Sequence, residues 1–244
     1  MDVDRRLRTG PGVVVLRGLD LDGRTNEQCV ELCHQFLATI GTPWPRSGRS
    51  ADELLTAETA PAAPVSPASS PRASAGDTQM LALHTDRATR TYQPRLLAVL
   101  CIQPAAHGGE TILASGATVH DRILERDPGT VHQLTHDFQF GREDTFARCY
   151  PVFQRDSTGL QVHFNRYWIS RGHLEADLPL TPAQVAALDF FDHQLADDRL
   201  RVHIPLRRGD LLIVDNWTVL HGRAPFVDHQ GSGLRRCLAR AWAD

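Results

Sequence analysis

Short apolar runs separated by turn residues dominate the chain, with two stretches of helical spacing between them. Residues 12–16, "GVVVL", read as a buried strand. Over residues 26–38 the period changes: Cys29, Leu32, Cys33, Phe36 and Leu37 fall on one helical face, and Thr25 followed by Gln28 forms a capping box at the start. Turn residues follow around Gly41, Pro43 and Pro45. Residues 57–76, "AETAPAAPVSPASSPRASAG", are mostly Ala, Pro and Ser and cannot bury enough apolar surface to pack. They predict a flexible loop, either a lid over a site or a surface insertion without a role. Between 95 and 116, "RLLAVLCIQP", "HGG" and "ETILASG" alternate strand with turn, and residues 134–140, 149–153 and 160–164 add strand-like segments. A second helix begins with Thr181 as N-cap and Pro182 at its first position, with Val185, Leu188, Phe191 and Leu195 on one face. "VHIPL", "GDLLIVDN" and "RRCLARAWA" close the chain as three more strands. Many short strands with two helices predict a mainly β architecture with flanking helices (α+β), a sandwich or barrel covered on one side.

Composition narrows the function classes. At 244 residues the chain is long enough for one substantial core, so a single domain over 1–244 is expected. A net charge of −3 gives no basic footprint for nucleic acid or an anionic membrane. Every one of the 26 positive charges is arginine, which excludes Schiff-base and phosphate-loop lysine chemistry and makes arginine the only strong clamp for a carboxylate. Five cysteines lack the paired spacing of a structural zinc site and read as free thiols. The first residues carry no signal-peptide run and no window reaches membrane-spanning length, so the expected location is cytoplasmic.

Twelve histidines direct attention to imidazole chemistry. In "LALHTDRATR", His84 and Asp86 lie two apart, and on an extended strand both side chains share a face. His221, in "DNWTVLHGRAPF", follows an apolar strand and the polar corner of Asp215 and Asn216, and closes a triangle with them if the strands meet. Two imidazoles and one carboxylate on one face leave adjacent coordination positions open, as a non-haem Fe(II) oxygenase requires. Downstream, Arg236, Leu238 and Arg240 share one strand face while Arg235, Cys237 and Ala239 share the other. If the first face points inward, its guanidinium groups call for a bound carboxylate; an exposed edge strand is the alternative.

"LHTD", "GGET", "DNWTVLHGRAPF" and "RRCLAR", in this order, together with the opening "GVVVLRGL", resemble the Fe(II)/2-oxoglutarate-dependent oxygenases of the taurine dioxygenase and clavaminate synthase type. The resemblance implies a double-stranded β-helix core, the jelly roll of cupin-like proteins. It also implies Fe(II) with 2-oxoglutarate and O2 as co-substrates. Position by position, His84, Asp86 and His221 match the iron ligands. Thr111 matches a threonine that holds the co-substrate carboxylate, and Arg236 the arginine that pairs with its distal carboxylate, with Arg235 the alternative one register away. Arg240 matches a position reaching co-substrate or substrate, and Asn165 and Arg166 in "VHFNRYWISRG" are candidate substrate contacts, Arg166 alternatively forming a surface ion pair. Asp86 keeps the carboxylate that related halogenases replace with a small residue, which speaks against halogenation. The implied reaction is hydroxylation of a small molecule, amino-acid-like or a natural-product intermediate, free or tethered to a carrier protein. Desaturation, epoxidation, cyclisation or sulfonate catabolism would use the same site. Two further classes stay open: a zinc or manganese hydrolase or isomerase on the same ligands, and a non-catalytic anion-binding barrel.

Overall fold

The computed structural model describes residues 2–45, 54–57, 79–88, 93–141, 149–229 and 234–244. Two antiparallel sheets form its centre. The larger runs, edge to edge, through β1 (Val13–Leu16), β12 (Leu211–Asp215), β4 (Leu96–Gln103), β15 (Cys237–Ala243) and β2 (Leu55–Ala57). The smaller runs through β11 (Val202–Ile204), β6 (Thr111–Ser115), β13 (Val219–Arg223) and β3 (Leu81–His84). Three short pairs complete the strands: β5 (His107–Gly108) with β14 (Phe226–Val227), β7 (Asp137–Gln139) with β8 (Cys149–Pro151), and β9 (Phe153–Asp156) with β10 (Gly159–Val162).

Side-chain alternation sorts these strands into layers. Leu97, Leu212, Val214 and Trp242 of the larger sheet meet Leu113 and Val219 of the smaller one between the sheets. On the outer face of the larger sheet, Leu96, Ala98, Leu100, Leu211, Ile213, Ala239 and Ala241 pack against Cys29, Val30, Cys33 and Leu37 of helix α2 (Asn26–Leu37), which follows the short α1 (Val3–Arg8). The Thr25–Gln28 capping box is formed. Leu83, Ile112, Ala114 and Leu220 of the smaller sheet face a second helical layer. Both sheets are thus covered on both faces, which is why "LLAVLCI" and "LLIV" are continuous apolar runs rather than alternating ones.

That second layer corrects the expectation of two helices. It contains α3 (Gly116–Arg126), α4 (Pro128–Leu134), α5 (Arg166–Glu175) and α6 (Pro182–Leu195). Three of these were strand-like or unassigned by pattern, and each is set by its cap. The Ser115 hydroxyl accepts from Thr118 N, the Asp127 carboxylate from Gly129 N and Thr130 N, and Asn165 Oδ1 from Trp168 N. Leu134 ends α4, so the strand expected over 134–140 shrinks to β7. In α6 the capping box of Thr181 and Gln184 is present, and Leu188, Phe191 and Leu195 are buried, but Val185 is exposed and Ala187 is buried instead. All five cysteines are free. The expected lid or insertion at 57–76 lies, beyond Ala57, outside the described residues.

Candidate functional site

The ladder between β13 and β3 sets His221 directly opposite His84, both on the face that looks between the sheets, with ring centroids 4.5 Å apart. Asp86 lies past the end of β3, in a turn, so strand alternation is not what places it. Two other residues do. Asn216, at the corner between β12 and β13, grips the Asp86 backbone: its Oδ1 accepts from Asp86 N at 2.7 Å and its Nδ2 donates to Asp86 O at 3.0 Å. Trp242 of β15 donates from Nε1 to Asp86 Oδ2 at 2.9 Å. The remaining oxygen, Oδ1, then sits 3.4 Å from His84 Nε2 and 3.6 Å from His221 Nε2.

One ligand atom from each of the three side chains lies within 4.8 Å of the others, and no other group of three or more potential metal-ligating side chains converges among the described residues. The donor set fits a divalent transition metal. His84 Nδ1 is 2.9 Å from Ala82 O; a carbonyl only accepts, so Nδ1 carries a proton, which leaves Nε2 as the ring atom turned to the cluster. Burial works against charge on Asp86, but the Arg240 guanidinium, 3.6 Å from Oδ2, outweighs it together with the two imidazoles and holds the carboxyl well below the usual range. Burial, and then the neighbouring His84, push the His221 imidazole down. An ionised Asp86 and a His221 that resists protonation both favour cation binding.

Along the same inner face lies a corner that buries Thr111, Arg223 and Arg236. Thr111 opens β6, is 8% exposed, and pairs across the ladder with Arg223. The turn before it has Gly108 and Gly109 at φ of 72° and 75°, where side chains are strained. A Cβ on Gly109 would lie 3.0 Å from Arg236 Nε and 3.2 Å from Phe226 Cβ, so glycine is what lets the guanidinium lie against the turn. Arg236 is 5% exposed, donates to Gly109 O at 3.3 Å and stands 5.5 Å over the Phe226 ring, while Arg223 stands 4.6 Å over the same ring. Arg235 is exposed. The inward face of β15 is therefore the one carrying Arg236 and Arg240.

Three other sequence-based candidates have different surroundings. Arg240 lies 3.6 Å from Asp86 Oδ2 and 5.0 Å over the Trp242 ring. Arg166 donates to Asp192 at 2.7 Å and Asp189 at 2.6 Å on α6, which is the ion-pair alternative, and Asn165 caps α5. The polar groups of that pair are engaged in the helical layer, whereas the sequence suggests substrate contacts. Asn216 and Trp242 hydrogen-bond to Asp86, contacts that pattern reading does not reveal. Trp242 had a legible signal, being the next inward residue after Arg240 on the same strand.

A two-sheet jelly roll with two imidazoles and a carboxylate on its inner face has the cupin-like fold and the donor set of a non-haem metal site. The sequence profile of the "Taurine catabolism dioxygenase TauD, TfdA family" matches residues 2–242, and the chain belongs to that family. Among curated relatives, a uridine-5'-phosphate dioxygenase of Streptomyces sp is 31% identical over 137 residues, covering 52% of this chain and 48% of that protein. The gamma-butyrobetaine dioxygenase of Homo sapiens is 24% identical over 176 residues, covering 68% of this chain and 45% of that protein. The chain thus spans a little under half the length of these relatives. Among solved structures, an asparagine oxygenase superposes with a TM-score of 0.73 at 21% identity, covering 98% of this chain and 75% of its own. That enzyme has also been solved with Fe(II), 2S,3S-3-hydroxyasparagine and succinate. The non-heme iron oxygenase OrfP with Fe superposes at a TM-score of 0.68 and 19% identity, covering 98% of this chain and 78% of its own.

Proposed function

We propose that the chain is an Fe(II)- and 2-oxoglutarate-dependent dioxygenase that hydroxylates an unactivated C–H bond of an amino-acid-like or natural-product intermediate. The observation that carries this reading is the convergence of His84, Asp86 and His221 between the sheets, with Thr111 and Arg236 on the same inner face. His84, Asp86 and His221 would hold the iron, Thr111 and Arg236 the distal carboxylate of 2-oxoglutarate. Iron and 2-oxoglutarate with O2 supply an oxidant strong enough for an unactivated C–H bond, releasing succinate and CO2.

The chain's own residues do the rest. The Ala82 carbonyl keeps the His84 proton on Nδ1, and Asn216 holds the turn that carries Asp86. Arg236 offers a planar, permanently charged fork in a nearly dry corner, where a carboxylate pairs with it more strongly than in water. The family, and relatives that are dioxygenases acting on a nucleotide and on an amino-acid-like betaine, support a small-molecule substrate. Five free thiols suit a reducing, cytoplasmic setting.

The test is 2-oxoglutarate turnover. With Fe(II), ascorbate and air, wild-type protein should release succinate, faster when a panel of amino acids and their derivatives includes the substrate, and Asp86→Ala should reduce release at least ~100-fold. Equal succinate release from wild type and Asp86→Ala would remove the proposal.

A further inference from the structure

Asp86 is unusual among the three candidate ligands in having no strand to hold it, and its carboxylate is fixed by a residue from the opposite sheet. We propose that Trp242 is the positioning residue of the metal centre: its indole N–H ties up Asp86 Oδ2, so that Oδ1 alone is presented to the metal. This rests on the reading of His84, Asp86 and His221 as metal ligands.

Trp242 is 2% exposed, and its Nε1 lies 2.9 Å from Oδ2 while Oδ1 faces both imidazoles. Two cations lie over the same indole. The Arg87 guanidinium stands 4.5 Å and that of Arg240 5.0 Å from the ring centroid, and Arg240 is 3.6 Å from Oδ2 as well. Each cation is attracted to the ring and draws electron density from it, which strengthens the N–H as a donor to the carboxylate. Arg87 directly follows Asp86 and takes a φ of 62°, a left-handed conformation that arginine rarely adopts. That strain is where the turn bends so that Asp86 enters the cluster and Arg87 reaches the indole. The hydrogen bond has a consequence for coordination. A carboxylate with one oxygen engaged binds through the other, keeping the remaining positions open for co-substrate and oxygen, whereas a released carboxylate can swing to bind through both.

Wild type and Trp242→Phe are compared by Mn(II) binding, followed through the EPR signal of free Mn(II), and by the visible spectrum of the Co(II)-loaded protein. The phenylalanine keeps a smaller ring beside both arginines and removes the donor. Trp242→Phe should melt below wild type without metal, as a large-to-small change in the core does, and, where still folded, bind Mn(II) about tenfold more weakly and give a Co(II) spectrum of altered intensity as the second oxygen joins. A folded variant with unchanged Mn(II) affinity and an unchanged Co(II) spectrum would overturn the positioning role. If Trp242→Phe does not fold, the wild-type protein still decides. Its four indole N–H signals, assigned by elimination with Trp44→Phe, Trp168→Phe and Trp217→Phe, are followed during Zn(II) addition. The Trp242 signal should shift, and its constancy would overturn the role. Absence of any metal binding by wild type would sink the metal reading itself, an outcome distinct from an unaltered Trp242→Phe.

Discussion

Arg235 and Arg236 are neighbours in sequence with opposite surroundings, one in solvent and one buried against Gly109 and Phe226. Only the second can hold a carboxylate out of water. Arg236→Ala should therefore raise the 2-oxoglutarate concentration for half-maximal turnover by ~10-fold or more, while Arg235→Ala stays within ~2-fold; a larger effect at Arg235 in steady-state assays would refute the assignment. A second residue reports on stability. His163 stacks on Tyr150 with ring centroids 5.4 Å apart, and burial pushes its imidazole down to about 4 from an ordinary 6.5. Between those values the unfolded chain takes up a proton that the folded chain refuses, so the contribution is intact above pH 6.5 and is lost as the pH falls toward 4. The melting temperature should drop from pH 7 to pH 5, and drop less in His163→Phe; equal drops would contradict the buried neutral imidazole. Alternation along a strand made Arg236 and Arg240 legible in the sequence as residues of one face, with an inward and an exposed placement both open. It could not place Asp86, whose position depends on Asn216 and Trp242 from distant parts of the chain.

Helices whose start carries a full capping box were legible, and those with a single capping side chain were not. Helices α2 and α6 announce themselves through capping boxes and apolar faces. Helix α4 spans seven residues, too few for periodicity to register, and α5 mixes aromatic, β-branched and glycine residues that carry no clear helical preference. The turn between β5 and β6 is an element whose glycines matter to the site rather than only to the fold. Gly109→Ala and Gly18→Ala place alanine at similar φ, 75° and 74°, but only at Gly109 does the new Cβ meet neighbours; nothing lies within 4 Å of the one at Gly18. Both should lose about 1 kcal/mol or more of stability by thermal or denaturant unfolding. Gly109→Ala alone should raise the 2-oxoglutarate requirement, because it displaces Arg236; an equal rise in Gly18→Ala would show that the effect is merely global.

At the scale of the molecule, a two-sheet sandwich between helical layers explains features that looked contradictory along the chain. Continuous apolar strands such as β4 and β12 arise because both faces are covered, and the inward polar residues of their neighbours, His84 of β3, Thr111 of β6, His221 and Arg223 of β13 and Arg240 of β15, gather between the sheets. The mainly β class was readable from strand spacing, whereas the thickness of the second helical layer was not, because its caps lie in segments that also read as turns. Fold and site together lead to one claim, that His84, Asp86 and His221 hold iron(II) with 2-oxoglutarate bound to it. The most direct measurement is the visible spectrum under anaerobic conditions as Fe(II) and then 2-oxoglutarate are added. Wild-type protein should develop a weak metal-to-ligand charge-transfer band only when both are present, and Asp86→Ala should develop none. Wild-type protein with no band at saturating Fe(II) and 2-oxoglutarate would contradict the account.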